Sequence, residues 1–227
     1  MGLPPGQRRV EGFPRFGTHL SRPAPAIPAD PVIEVRGAVT EEFALPLASL
    51  WSLPRKEITA DFHCVAGWTA TGLTWEGVSF ETFYRALIEP AIPPGTSITH
   101  LKCRGLDGWA AAVTIEDILA DDVLIAQNLN GQPVDSDHGA PARLVSPSQY
   151  GYINVKHLSR IELLTTAPPT TEGPLLRSHP RGRVWEEERH GLVPGRAVRP
   201  FYRALIRPIR FLSSRGARHR HPPTRQP

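Results

Sequence analysis

Cysteine is scarce in this chain of 227 residues, which has only Cys64 and Cys103. Secreted disulfide scaffolds are normally smaller and richer in cysteine, so that organisation is excluded. No C-x-x-C pair occurs, which weakens a zinc site. No apolar run approaches the roughly 18 residues that a membrane span needs. The opening MGLPPGQRRVEGFPRF contains Arg8-Arg9 but no hydrophobic stretch behind them. It therefore reads neither as a signal peptide nor as a twin-arginine export signal, and the expectation is a cytoplasmic protein with reduced thiols. There is no internal repeat, and no haem, flavin or iron–sulfur motif.

Proline and glycine are abundant instead, at 25 and 19 residues, with 40% hydrophobic content. That composition argues against an all-helical fold and for short strands, turns and extended connections around one core. The net charge of +4 hides an asymmetry. From Arg177 onward there are 13 arginines against Glu186, Glu187 and Glu188, whereas residues 1–176 carry 13 basic and 19 acidic side chains. A basic tail on a mildly acidic body is poor grounds for nucleic-acid binding by the body. No nucleic-acid reader motif accompanies the charge, so none is expected as partner.

Residues 1–31 are too rich in proline for long helices and read as an extended arm. Strands are expected in PVIEVRGAV (31–39), in EITADFHCVAGW (57–68, ending at Gly67), in SITHLKCRG (97–105), in ARLVSP (142–147) and in LSRIELLTT (158–166). LPLASLWSLPR suggests a short helix stopped at Pro54, and VSFETFYRALIEP has near-helical apolar spacing closed by Pro90. GWAAAVTIEDILAD carries a strand into a short helix. VLIAQNLNGQPV reads as a hairpin turning at Asn130-Gly131. The fold class is therefore α+β, with mixed sheets and short helices, over residues 32–166. A linker is expected over 167–183 and a basic tail over 184–227. In the tail, arginines alternate with Phe201, Tyr202, Leu205, Ile206, Ile209 and Phe211, while Pro200 and Pro208 should break or kink a helix. The apolar side is expected to pack on the body, and residues 215–227 to be disordered. Docking on an acidic partner or an anionic membrane surface is the competing use of that segment.

Two clusters could carry chemistry. In DFHCVAGWTATGLTWEGVSF, Cys64 lies near a strand end, where a thiolate can face a cleft as a soft metal ligand or a nucleophile. Taken alone, a buried core cysteine is the commoner meaning. Cys103, in a strand, reads as core, and Trp68 and Trp75 read as packing around the Cys64 loop. His63 should point to the opposite face from Cys64, which weakens zinc further. His100, His138 or His157 could serve a cysteine protease as base, with no spacing to support any of them. The second cluster, HGAPARLVSPSQYGYINVKHLSRIELL, offers Arg143 and Lys156 as cations suited to a phosphate and Gly139 for close backbone approach. Ordinary surface charge is the alternative, and Arg143 alone would favour it.

Together the two clusters resemble the sulfite oxidase family of molybdopterin-dependent oxidoreductases. C-V-x-G-W at Cys64–Trp68 and W-E-G-V at Trp75–Val78 resemble the motif around the cofactor-binding cysteine. H-G-A-P-A-R-L-V-x-P-x-x-Y-G from His138, followed by N-V-K-H-L-x-R-I from Asn154, resembles the second signature, over roughly residues 30–165. The resemblance implies that Cys64 ligates molybdenum and that His138, Arg143 and Lys156 hold the pterin and its phosphate. Asn154 and Val155 are expected to add backbone contacts, Arg104 to face the cofactor, and Arg15 and Phe16 to lie in an arm crossing it. The implied activity is oxygen-atom and electron transfer on a sulfite-like oxyanion or a sulfoxide, with a separate redox protein as partner. A non-catalytic cofactor-binding or interaction protein of the same fold is the alternative.

Overall fold

The computed structural model describes residues 2–16, 21–169 and 177–218, the last three through the backbone alone. In chain order the strands are β1 (Arg8–Arg9), β2 (Val32–Gly37), β3 (Phe43–Pro46), β4 (Arg55–His63), β5 (Trp68–Ser79), β6 (His100–Gly105), β7 (Ala110–Thr114), β8 (Leu124–Leu129), β9 (Gln132–Pro133), β10 (Arg143–Val145) and β11 (Leu158–Leu164). Helix α1 (Phe80–Phe83) runs on through wider and tighter turns to Ala91, α2 is Ile115–Ile118, and α3 is Gly195–Arg218. A 3₁₀ turn covers Leu47–Ser52.

Two sheets divide these strands. One has the order β1-β5-β8-β10, with β4 also on β5 and β9 on β8; the other has the order β3-β2-β11-β6-β7. Within the second sheet β2 and β11 are parallel and the remaining pairs antiparallel. Strict alternation of buried and half-buried residues in β6 and β7 shows why the period-two pattern makes them strands with one core face. β8 differs: Leu124, Ile125, Ala126 and Gln127 are all buried. Ile125 joins a core with Val78, Phe83, Leu101, Cys103 and Ile161, whereas Leu124 and Ala126 join Cys64, Trp68 and Trp75 on the other face. A strand covered on both faces loses its alternation.

Most expected elements occur, and the differences are instructive. The strand expected to reach Gly67 stops at His63, and Cys64 falls in the turn joining β4 to β5. The longest strand, β5, takes in residues left unassigned from the sequence. At Asn130-Gly131 both residues have positive φ, 51° and 74°, as a tight hairpin turn requires. The arm contributes β1, paired in parallel with Trp68 and Thr69.

The C-terminal part departs further from expectation. Residues 177–183, read as linker, are tied to the body: Arg181 pairs with Asp117, Gln149 Nε2 reaches the Arg181 carbonyl, and the Tyr150 amide donates to the Gly182 carbonyl. Pro200 and Pro208 do not break α3. Pro200, the sixth residue of the helix, and Pro208 each lack the amide that an interior position donates to the preceding turn. Burial of Tyr202 and Ser213 and packing of Ile206 on the Cys64 cluster outweigh the cost of an interior Pro208, about 3 kcal/mol. The outward side keeps Phe201 and Phe211 exposed, and the helix contains no acidic residue. Residues 219–227, part of the segment expected to be disordered, lie outside the described residues, as do 170–176 of the linker.

At Gly77 a register shift separates it from Glu76 in the pairing of β5 with β8. An added Cβ there would lie 2.7 Å from the Ala126 Cα. Gly77→Ala should therefore lower stability by about 1–3 kcal/mol through overpacking of backbone. Urea unfolding measures this, and an unchanged midpoint contradicts the tight β5–β8 approach.

Candidate active site around Cys64

The Cys64 turn is held by hydrogen bonds from several segments. The Cys64 amide donates to the Trp68 carbonyl at 2.8 Å and the Gly67 amide to the Cys64 carbonyl at 2.9 Å. Gly67 has φ +103°, a conformation that glycine adopts without strain. From the arm, Gln7 Nε2 donates to the Cys64 carbonyl at 3.1 Å, and the Arg8 amide donates to the Gly67 carbonyl at 3.1 Å. Thr69 Oγ1 donates to Gln7 Oε1 and lies 2.9 Å from His63 Nδ1. His63 is thus buried in a polar cluster of its own. From beyond the body, Arg189 donates to the Val65 carbonyl.

Cys64 is 7% exposed and opens on a cavity of about 150 Å³ walled by Phe16, Phe62, Trp68, Trp109 and Tyr152, with Asp107, Asn154 and Lys156 also lining it. Burial pushes the Cys64 thiol up to about 12, while the Ala66 amide and the charges of Arg189 and Lys156 pull the other way. The indole N–H of Trp68 is buried and has no hydrogen-bond partner among the described residues. Trp109, by contrast, donates to the Tyr152 carbonyl at 2.9 Å. No group of three or more His, Cys, Asp or Glu among the described residues is placed to hold a metal ion.

Of the residues singled out from the sequence, Cys64, Phe16, Asn154 and Lys156 line this one cavity. Lys156 Nζ donates to the Asp137 carbonyl at 2.8 Å and lies 3.5 Å from the Phe16 carbonyl. Burial, and then the charges of Arg143 and Arg15, push it down to about 7. The Asn154 side chain is spent on the 146–150 loop: Oδ1 accepts from the Ser146 amide, and Nδ2 faces the carbonyls of Ser146, Gln149 and Tyr150.

The others stand outside the cavity lining. Arg143 is fully buried, contrary to the exposed alternative. Its guanidinium sits 5.1 Å from the Trp75 ring centre, 5.4 Å from Phe62 and 5.9 Å from Phe13. It donates to the carbonyls of His138, at 2.7 Å, and Asn154, at 3.2 Å. Desolvation lowers it to about 9. His138 stacks on Phe13 with ring centres 4.7 Å apart, its Nδ1 facing Asp135 and its Nε2 2.8 Å from the Phe13 carbonyl. Val155 has no free backbone group to offer, because its amide donates to Ile153 and its carbonyl accepts from Leu144. Arg15 pairs with Asp137 at 3.0 Å and donates to the Ser213 carbonyl of α3. Arg104 lines a separate hollow with Glu34 and Arg160 and donates to the Gly108 carbonyl. It lies on the side of β6 away from buried Cys103, so the strand's pleat sends it elsewhere.

Sequence reasoning found Phe16 but missed the other four aromatic walls and the tail. Trp68 was legible only as packing, although it belongs to the same short motif as Cys64. Arg189 gave no signal at all, since more than 120 residues separate it from the turn it serves.

A sequence model of the oxidoreductase molybdopterin binding domain matches residues 19–172, about two thirds of the chain. The chain belongs to this family, and by class it is a molybdenum-cofactor-dependent oxidoreductase with a sulfite oxidase-like α+β fold. Among its relatives is the uncharacterized oxidoreductase YuiH of Bacillus subtilis (strain 168), 30% identical over 160 residues, or 69% of this chain and 76% of the relative. The putative protein-methionine-sulfoxide reductase subunit YedZ1 of Azospira oryzae is 27% identical over 72% of this chain and 55% of its own length. The protein-methionine-sulfoxide reductase catalytic subunit MsrP of Gluconobacter oxydans (strain 621H) is 25% identical over 61% and 48%. The chain thus spans about half the length of these two reductases. The crystal structure of the sulfane dehydrogenase SoxCD from Paracoccus pantotrophus shares the fold, with a TM-score of 0.54 and 23% identity over 68% of this chain and 44% of that one.

The residues present suit a molybdenum–pterin group. They offer one thiol and a half-buried ammonium able to meet a phosphate on one cavity, which Trp68 also lines. Gly139 permits the close packing behind them: a Cβ there would lie 3.1 Å from the Cβ atoms of Arg143 and Lys156.

Lys156 gives a pH dependence whose sign can be worked out. Its folded value of about 7 lies below its ordinary 10.5, so between these pH values the unfolded chain binds more protons and stability rises with pH. In the cofactor-free protein, the melting temperature of wild type should climb more from pH 6 to pH 9 than that of Lys156→Met. Parallel curves would show that Lys156 carries no such burial penalty.

Proposed function

We propose that Cys64 supplies the protein sulfur ligand to the molybdenum of a molybdopterin cofactor, and that the chain reduces a small uncharged sulfoxide. The carrying observation is the shared cavity of the Cys64 sulfur, the Lys156 ammonium and five aromatic walls. The cofactor, when bound, supplies the two-electron oxygen-atom chemistry. In balanced form, a sulfoxide, two protons and two electrons give a thioether and water.

The chain's own residues bind, orient and exclude water. Lys156 offers the positive charge for the pterin phosphate, and Asn154 keeps the adjoining loop rigid through its four contacts. Phe16, Phe62, Trp109 and Tyr152 favour a substrate with apolar arms around one polar bond. A sulfite-like oxyanion would need converging cations, and Arg104 points into another hollow. The names of the two methionine-sulfoxide reductase relatives support the sulfoxide reading. Electrons come from a separate redox protein, because the chain has no haem, flavin or iron–sulfur motif of its own.

Protein produced in a molybdate-replete host should contain about one molybdenum and one pterin per chain by plasma emission and fluorescence analysis, with less metal retained in Cys64→Ser. With a reduced viologen donor it should reduce dialkyl sulfoxides and leave sulfite untouched. Wild-type protein without molybdenum and pterin contradicts the cofactor site, and turnover of sulfite in preference to sulfoxide contradicts the substrate class.

A further inference from the structure

We propose that Arg189 is a positioning residue for the Cys64 sulfur, supplied by a part of the chain that lies outside the matched family domain. The proposal rests on the reading of Cys64 as the metal's protein ligand.

Arg189 is 1% exposed, although it belongs to the run of charge EEER, which a sequence reader would leave in solvent. Its guanidinium spends its donors on three separate segments. One nitrogen reaches the Val65 carbonyl within the Cys64 turn, another the Pro5 carbonyl of the arm at 3.1 Å, and Nε the Glu187 carboxylate at 3.1 Å. The flat face lies 5.2 Å from the ring centre of Tyr150, which belongs to the loop braced by Asn154. No lysine could make these contacts together, because the planar fork directs several donors at fixed angles.

The surroundings are built for this contact. Gly6 has φ +72°, and a Cβ there would come within 2.8 Å of both Arg189 Nη2 and Arg199 Nε. Glu187 adopts φ +57°, a conformation that costs a non-glycine residue about 1 kcal/mol or more. It is kept there by Arg189 and by Arg199 of α3, which share its carboxylate. The chain thus accepts strain in order to aim Arg189 inward.

The effect on Cys64 follows from which groups of its turn are satisfied. Gln7 holds the Cys64 carbonyl and Arg8 the Gly67 carbonyl. Arg189 alone of these contacts comes from the tail, and it joins the Val65 carbonyl to the arm that carries Gln7. Removing it orphans a carbonyl in the turn and loosens the arm at Pro5 in the same stroke. The sulfur then has a choice of positions. Residues that orient a ligand without touching the metal typically change metal affinity 10–100-fold.

Full-length holoprotein tests this with Arg189→Met, Arg189→Lys and, as reference, Cys64→Ser. The readouts are the electron paramagnetic resonance spectrum of the Mo(V) state and the rate of cofactor loss to an apo acceptor. Arg189→Met should give a mixture of Mo(V) species where wild type gives one, and lose cofactor about 10-fold faster. Arg189→Lys keeps charge and one donor, so it should retain the fold and fall between the two. A wild-type spectrum and loss rate in a folded Arg189→Met protein overturns the positioning role. If Arg189→Met does not fold, a wild-type result in Arg189→Lys overturns it equally, since the fork geometry is then dispensable. A wild-type spectrum in Cys64→Ser sinks the underlying ligand reading instead, whatever the Arg189 variants show.

Discussion

Two cations whose hydrogen bonds go to carbonyl oxygens, one buried and one half-buried, set the terms for the rest of this structure. Arg143 is fully buried and Lys156 half-buried, and both are pushed below their ordinary values chiefly by desolvation. Arg143 meets the cost with three backbone carbonyls and the faces of three aromatic rings. Lys156 meets it less completely, and it faces the cavity shared with Cys64. A cation so placed, partly desolvated and open to a cavity, gains little for the fold on its own. It is well explained by an anion that joins it, and the phosphate of a molybdopterin is an anion of that kind.

The two cations therefore divide a task that the sequence presented as one. Arg143 is the scaffold: it locks the 138–143 turn to Asn154 and gives Phe13, Phe62 and Trp75 a common centre. Lys156 is the charge that lines the Cys64 cavity. His138 belongs with the scaffold, since it anchors the arm through Phe13. The arm, in turn, delivers Gln7 to the Cys64 carbonyl and Phe16 to the cavity wall. The tail completes the enclosure through Arg189 and through the contact of α3 with Arg15. Much of what surrounds Cys64 thus comes from residues 5–16 and 189–213, which flank the matched domain.

The legible parts of the sequence were those governed by local rules. Alternation located β2, β6, β7 and β11, and Asn130-Gly131 fixed its hairpin. Cys64 and Lys156 stand out because they fall in two signatures in the right order, and the fold brings both to one cavity. β5 was not, because its residues from Trp68 to Ser79 serve two cores and pass a register shift at Gly77, so no single alternation runs through them. Arg143 looked like an exposed strand residue because its aromatic partners lie far off in sequence. Arg104 was misplaced because adjacent residues of a strand face opposite ways, and the register of β6 decides which way it points. The continuity of α3 through Pro200 and Pro208 is a tertiary effect, set by what lies beneath Tyr202, Ile206 and Ser213. Arg189 could not have been found by any local pattern.

The proposed roles of Cys64 and Arg189 both require the Cys64 sulfur to be part of the metal's coordination shell. X-ray absorption at the molybdenum edge, measured on wild-type protein and on whatever molybdenum remains bound in Cys64→Ser, examines that shell directly. The prediction is one sulfur neighbour fewer in Cys64→Ser than in wild type. An identical sulfur count in the two proteins would contradict it.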